Sequence, residues 1–529
     1  MRKNLLLLII LSLITLWPFF KRGYFESHDG EWMVIRFTAF HQTLASGQFP
    51  VRFVDRLNNN YGYPVLNFLY PLPFYLAEIP KIIGFGFVDS IKIIFILATV
   101  SSALAMYWAL LSIFDKYSSL AGAILYLYAP YRFVDLYVRG SLGESLAFAF
   151  VPLVAGSIFK IANGYKLYFP ILSLSTALLI LSHNVIAVLF IPFFVTLSLF
   201  IVKNDRLKLL AYFILGILMS SFFTIPALLD LRYVKLSQIK VSEISHHLAD
   251  INQILIPYWG YGPNPQGPNP LPVQMGIVPI FLALSALLIR LFKKTKNYLV
   301  DFQIVIFLIV AFMLTKYSLP LWKIIPFIDV IQFPWRLLCL ITFIAAFLAA
   351  YLLSLIKSNQ KLAILLIITS VLATIIYAKP QKFVERSDSY YSTNEDTTTV
   401  QDEYLPLWVS VKPQVRASQK ITLDGPGSIE STIIKASNYQ ATIKTDEQTR
   451  VVVNTIYFPG WQAKIDGQSV LIEHQNKFGL ISFQLPKGVH QIIINYARTT
   501  VHLLSEIISI FASAIAGFIF YRLWTKRNS

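Results

Sequence analysis

Charge is what this sequence has least of. Only 14% of its 529 residues are Asp, Glu, Lys or Arg, where a soluble globular chain carries about 25%. Cysteine is almost missing. Cys339 is the only one, which excludes an intrachain disulfide and a cysteine-built zinc site. Acidic side chains are outnumbered, at 28 against 45 Lys and Arg, for a net charge of +17. That surplus does not call for nucleic acid. Many of the cations stand in short loops between apolar runs, where they set topology rather than meet a polyanion.

What is abundant is apolar. The mean hydropathy is +0.59 and 56% of residues are hydrophobic. Repeated apolar runs, most of them about 17–24 residues long, predict a polytopic membrane protein. Spanning helices are expected near 4–20, 90–113, 118–131, 142–160, 167–182, 185–202, 207–228, 274–292, 299–316, 336–356, 361–378 and 502–523, about twelve in all. The first run follows Arg2 and Lys3 as in a signal peptide. The bulky Trp17-Pro18-Phe19-Phe20 after it offers no small-residue cleavage site, so an uncleaved helix is expected.

The segment 64–84 is apolar enough to span but holds Pro64, Pro71, Pro73 and Pro80 with Asn67 and Glu78. Breaks of this kind leave backbone groups unsatisfied in lipid. If 64–84 does not span and the N-terminus is cytoplasmic, the inner loops carry Lys116, Lys160, Lys203, Arg206, Lys293, Lys294, Lys296, Lys357 and Lys526. Every inner loop is then basic. The first loop 21–89 and the segment 379–501 are thereby expected outside the cytoplasm. Arg132, Arg139 and Arg336 also fall on that outer side, against the trend, so something other than topology must keep them there.

Beyond residue 379 the pattern changes to short alternating or β-branched stretches. Asp466-Gly467 and Pro486-Lys487-Gly488 are turn signals between them. Arg386 to Asp402 reads as a linker. The expected fold is mainly α: a transmembrane bundle over 1–378, with interfacial helices in loop 21–89. An extracytoplasmic linker plus β-sandwich follows over 379–501, then a final helix and basic cytoplasmic tail over 502–529. The chain is expected in the cell membrane with both termini cytoplasmic.

Three stretches carry chemistry. ESHDGEW, Glu26 to Trp32, puts Asp29 and Glu31 in a D-x-E pair beside His28. The plain reading is a polar loop whose carboxylate caps a helix. The other is a pair of oxygen ligands for Mg2+ or Mn2+, or a general base at the membrane surface. An amphipathic helix, about Glu31 to Ser46, follows, with Arg36 off its apolar face, and reads as a membrane-surface helix. APYRFVDLYVRGSLGES, Ala129 to Ser145, sets Arg132, Arg139, Asp135 and Glu144 at a hairpin mouth; FPWRL repeats the theme with Arg336. Arginine matches phosphate through its bidentate fork, although an Arg–Asp pair closing the hairpin is the plainer account. His183 stands alone at a helix end, where a structural hydrogen bond is the commoner role.

HDG at 28–30 with Arg36, GQFPVRF, YGYPVLNFLYPLPFYL, PYRFVDLYVRGSLGE, EYLPLW and YFPGWQAKIDGQSV together carry a resemblance over most of the chain. The chain resembles the prokaryotic polytopic family labelled "membrane protein, 6-pyruvoyl-tetrahydropterin synthase-related". That family is similar to the GT-C superfamily of membrane glycosyltransferases and to YfhO-type proteins. The label does not bring pterin chemistry with it. The resemblance implies a GT-C-like bundle and transfer of a sugar from a polyprenyl-phosphate donor to an extracytoplasmic glycan, lipid or protein. It implies Asp29 as the catalytic acidic residue, with Glu31 as a second ligand if Mg2+ or Mn2+ is used. His28, Arg36, Arg132, Arg139, Glu144, His183 and Arg336 are the expected substrate contacts. The competing expectation is a non-catalytic carrier or flippase for lipid-linked glycans, or a scaffold for envelope assembly.

Overall fold

A computed structural model describes residues 2–292, 297–326 and 328–528. Lys293, Lys294 and Lys296, counted above among the inner-loop cations, lie outside the described residues. Among the described residues six helices are long and apolar enough to cross a bilayer: Phe87–Leu110, Leu142–Ala162, Asn184–Ile201, Pro334–Ser354, Gln360–Tyr377 and Thr500–Lys526. A seventh crossing results if Arg206–Met219 and Ser221–Tyr233, bent by 73° at their junction, count as one span. The chain is a multi-pass membrane protein, but length and composition do not reach twelve crossings. Several expected spans are shorter helices, among them Arg2–Thr15, Lys116–Leu127 and Tyr168–Ser182.

The short helices explain where the polar residues sit. Lys116–Leu127 starts on the Asp115 side chain, which accepts from the backbone N–H groups of Tyr117 and Ser118. Twelve residues later it ends ahead of Pro130. Its length is about 18 Å at 1.5 Å per residue, well short of the roughly 30 Å bilayer core. The following hairpin therefore lies part-way down its neighbours. The Tyr128 hydroxyl donates to the Leu11 carbonyl at 3.0 Å, and Arg132 Nη2 to Ser102 Oγ at 2.9 Å. Leu11 and Ser102 are both well inside helices, in Arg2–Thr15 and Phe87–Leu110. The hairpin expected at an outer mouth is inside the bundle.

The segment 64–84 is not one continuous helix. It splits into Val65–Phe68 and Leu72–Ile83 around Leu69 to Pro71. The second piece buries Glu78 against His41 Nδ1 at 2.9 Å and exposes Ile79, Ile82 and Ile83. The helix Gly30–Ala45 matches the expected amphipathic element in place but not in setting. Met33 to Phe40 are all buried, Arg36 among them, so it is an internal helix rather than one lying on a membrane.

Two antiparallel sheets follow the bundle. One has the order Ser428–Lys435, Asn438–Thr445, Gly488–Tyr496, Trp461–Ile465 and Gln468–Val470. The other is Ile421–Asp424, Thr449–Ile456 and Leu480–Leu485. Alternate residues of both sheets, including Tyr439, Ile443, Val451, Phe483 and Ile492, share one apolar cluster. Asp466 and Gly467, at φ 50 and 83, form the expected tight hairpin between paired Ile465 and Gln468.

The stretch read as a linker is a strap laid along the bundle. Phe383–Val384 pairs with Tyr24–Phe25. Asp388 accepts from Phe87 N–H, and Glu395 O from Asn59 N–H, both at 2.9 Å. Tyr404 N–H then donates to the Tyr63 hydroxyl at 3.0 Å.

Candidate functional site

The hairpin 130–145 is built to place four charged side chains. Pro130 opens a helical turn whose fixed φ suits a first helical position. The turn then widens into a π-helix, Val134–Arg139, a rare form that is frequent at functional sites. Gly140 closes it at φ 65, where a side chain would be strained. A Cβ on Gly140 would also strike the Ser27 hydroxyl and the backbone of Gly30. That close approach brings the two chemistry-bearing stretches together. His28 N–H donates to Val138 O at 3.0 Å and Asp29 N–H to Arg139 O at 2.7 Å.

Glu144, wholly buried, is the hub. Its Oε1 lies 2.6 Å from Arg139 Nη1 and accepts from Arg336 Nε at 3.1 Å. Its Oε2 accepts from the Tyr131 hydroxyl at 2.8 Å. His183 Nε2 is 3.6 Å away, while its Nδ1 accepts from Ile186 N–H and its ring lies 4.7 Å from that of Tyr70. Arg139 also binds Asp135 Oδ1 at 3.0 Å and stands 4.4 Å over the Trp335 ring. Asp29 joins at the edge, its Oδ2 3.8 Å from Arg139 Nη2. Its side chain is 38% exposed, so it is the one carboxylate of the cluster open to an incoming group.

The cluster thus answers why basic residues sit in loops expected outside. Arg139 and Arg336 are neutralised by Glu144 and Asp135, since a buried charge is costly without a partner. Asp29, Arg139, Glu144, His183 and Arg336 come together as a unit. His28 is beside it, with Nε2 2.9 Å from the Tyr261 carbonyl; burial lowers its pKa. Arg132 is not in the unit. It bonds Ser102 and stacks 4.2 Å from the Phe148 ring. Arg36 is apart as well, donating Nε to Thr398 Oγ1 at 2.9 Å and Nη2 to the Thr398 carbonyl. Among the described residues neither Arg36 nor Arg132 has a carboxylate within ion-pair distance, although the charge of Asp135 acts on Arg132.

Glu31 points away from Asp29. The Tyr391 hydroxyl donates to it at 3.0 Å and Arg386 Nη1 lies 3.4 Å from it. Among the described residues no three His, Cys, Asp or Glu gather as a metal would need. Asp29 facing an arginine and Glu31 bound by another do not fit a shared divalent cation in this arrangement.

Sequence reasoning missed the partners rather than the charges. Asp135 and Arg139 sit four apart in the hairpin, a spacing that signals a helical pair. Tyr131 and Tyr70 had only their place in aromatic stretches to mark them. Tyr391 and Thr398 had no signal, because their stretch reads as a linker.

His247, in the loop 3₁₀ turn Ile244–His247, is a near neighbour, its ring 4.8 Å from that of Phe333. Burial, with His246 and Arg336 adding to it, pulls its pKa down to about 4. An unfolded histidine titrates near ~6.5. Protons then favour the unfolded chain, and stability drops as pH falls from about 6.5 towards about 4. Melting temperatures across that window should fall more steeply for wild type than for His247→Gln. Parallel curves would contradict it.

No family model matches the chain. A curated protein from Lactococcus lactis subsp. cremoris, described as uncharacterized, is 22% identical over 242 residues, 43% of this chain and 39% of that protein. Among solved structures the chain is similar to the mycobacterial arabinofuranosyltransferase AftD, with a TM-score of 0.46 and 13% identity. That likeness covers 72% of this chain and 27% of AftD. It is also similar to an oligosaccharyltransferase of Archaeoglobus fulgidus in the apo form, with a TM-score of 0.43 and 13% identity over 74% of this chain and 56% of the other. The archaeal oligosaccharyltransferase AglB, solved with an inhibitory peptide and a dolichol-phosphate, matches over the same shares with a TM-score of 0.40 and 14% identity. The chain spans well under two thirds of each of these proteins.

Proposed function

We propose that this chain is a membrane glycosyltransferase that moves a sugar from a polyprenyl-phosphate donor to an acceptor hydroxyl on the extracytoplasmic face. The observation that carries the reading is Asp29: a half-open carboxylate, loosely held 3.8 Å from Arg139, on the rim of a fully paired charge cluster. Asp135 and Glu144 are buried and bound by arginine, whereas Asp29 is open to an incoming hydroxyl.

In this reading Asp29 accepts the proton of the acceptor oxygen as that oxygen attacks the anomeric carbon. The bond from that carbon to the phosphate oxygen breaks, and the polyprenyl phosphate leaves with the electron pair. Arg36, with no carboxylate of its own, supplies positive charge as negative charge develops. Arg139 and Arg336 hold the frame through Glu144. A cavity of about 440 Å³ leads in from between the helices Asn184–Ile201 and Ser221–Leu229 to Gln332 and Tyr404. Gln332 in turn accepts from Arg336 Nη1 at 2.8 Å. The cavity's wall of Val185, Val188, Ala227 and Leu228 suits a lipid tail. A Mg2+ or Mn2+ ion enters this scheme only if Glu31 leaves Tyr391 and Arg386, so chelation with EDTA should leave the rate unchanged.

The test is sugar transfer from a panel of radiolabelled polyprenyl-phosphate sugars, by purified wild type and Asp29→Asn in lipid nanodiscs. Wild type should transfer. The variant should lose about 10²–10⁴-fold in rate, the usual worth of a positioned base, with an unchanged melting curve. Full activity in Asp29→Asn would remove Asp29 from the chemistry. Silence from wild type across the panel, with donor still bound, would favour the carrier or scaffold reading.

A further inference from the structure

A second polar cleft, with none of the Glu144 cluster in its lining, lies where the final helix Thr500–Asn528 meets the sheets. It has a volume of about 420 Å³ and is lined by Gln48, Phe49, Arg52, Arg498, His502 and Glu506 among others. Its cations outnumber its anions. Glu506 alone serves two arginines, with Oε1 3.4 Å from Arg52 Nη2 and Oε2 3.0 Å from Arg498 Nε. Arg52 is buried, donating also to the Phe222 carbonyl at 2.7 Å. Arg498 is 55% exposed and donates to the Phe49 carbonyl at 3.0 Å. His502 is 1% exposed, and its Nε2 has no hydrogen-bond partner. Asp230 stands behind it, 3.6 Å from that nitrogen, and already accepts from Asn67.

The position narrows the ligand. This end of the final helix is where the span begins, so the cleft sits at a bilayer surface. Leu503, Leu504 and Ile507 are exposed on the helix just below it, where an acyl chain would lie. Phe49 is exposed at the rim. The helix start adds partial positive charge to that of the arginines. Arginine pairs with phosphate through two parallel N–H donors, and the shared Glu506 leaves donors on Arg498 free for it.

We propose that this cleft binds the phosphate headgroup of an anionic membrane lipid, which seats the final helix against the sheets. The site is separate from Asp29, and its fate does not depend on whether the chain transfers sugar.

The experiment uses the full chain in phosphatidylcholine nanodiscs doped with phosphatidylglycerol, and counts retained lipid by native mass spectrometry after transfer to detergent. Wild type should keep phosphatidylglycerol in preference to phosphatidylcholine. Arg498→Gln should keep at least five-fold less. Glu506→Gln, which frees both arginines, should keep more, whereas a purely structural role for the cleft predicts less. Arg450→Gln, in the exposed pair with Glu473 on the sheets, should match wild type. Equal retention in Arg498→Gln, or loss in Glu506→Gln with its fold intact by circular dichroism, would overturn the proposal. So would displacement of the lipid by millimolar inorganic phosphate, which would make the site one for the free ion.

Discussion

Glu144→Gln should cost about 3–5 kcal/mol of stability, the usual penalty for breaking a buried ion pair, and should silence the site. The amide keeps the shape but not the charge. Arg139 would then keep only Asp135 and the edge contact to Asp29, and Arg336 only the Ile331 carbonyl and the Gln332 amide oxygen. The amide has one accepting oxygen in place of two, so either the Tyr131 hydroxyl or the two arginines lose a hydrogen bond along with the charge. A drop in melting temperature reads the effect. A double variant, Glu144→Gln with Arg336→Met, should recover part of it, because removing both members of a buried pair costs less than removing one. Failure of the second change to recover anything would mean that the two residues are not coupled.

Lys420→Ala should undock the sheets from the membrane bundle, at a cost of about 3–5 kcal/mol by the same reasoning. Lys420 Nζ donates to Asp55 Oδ1 at 2.8 Å and to the Asn60 carbonyl at 2.6 Å. The Tyr439 hydroxyl donates to the same Asp55 oxygen. Asp55 belongs to the first loop, while Lys420 and Tyr439 belong to the sheet region. Without the ammonium, a buried carboxylate is left with a phenol alone. Limited proteolysis should cut the variant between Val409 and Gln419 at concentrations that leave wild type whole. A Lys420→Ala chain as resistant as wild type would show the junction to be held elsewhere.

The helical membrane part was legible because hydropathy is a strong signal, and so was the sheet region, where Asp466-Gly467 turns as its residues require. Helix length was less legible. The apolar run at 118–131 continues past Leu127 through Tyr128 and Ala129, so composition could not show that the helix stops before Pro130. The charged residues of the site were readable one by one. Their grouping was not: Glu144 and Arg336 are 192 positions apart, and nothing local pairs them. The strap was missed for a similar reason. Its Ser, Thr and Asp residues read as solvated, yet the Thr398 hydroxyl accepts from Arg36, the Ser392 carbonyl accepts from Arg56 and the Tyr391 hydroxyl donates to Glu31, all long-range contacts. Asp29 stood out in the sequence through its D-x-E pair, and the structure puts it on the rim of the cluster beside Arg139. Glu31 was tied to Asp29 by spacing, and on the helix Gly30–Ala45 a spacing of two turns side chains apart.

The short helix Lys116–Leu127 has an electrical consequence. If Lys116 marks one bilayer surface, the insulating layer beneath the hairpin is about 18 Å thick, against roughly 30 Å elsewhere. A membrane potential drops most steeply where the insulator is thinnest. Charge that shifts within the recess thus crosses part of the voltage, at up to about 2.3 kcal/mol per charge per 100 mV for the full drop.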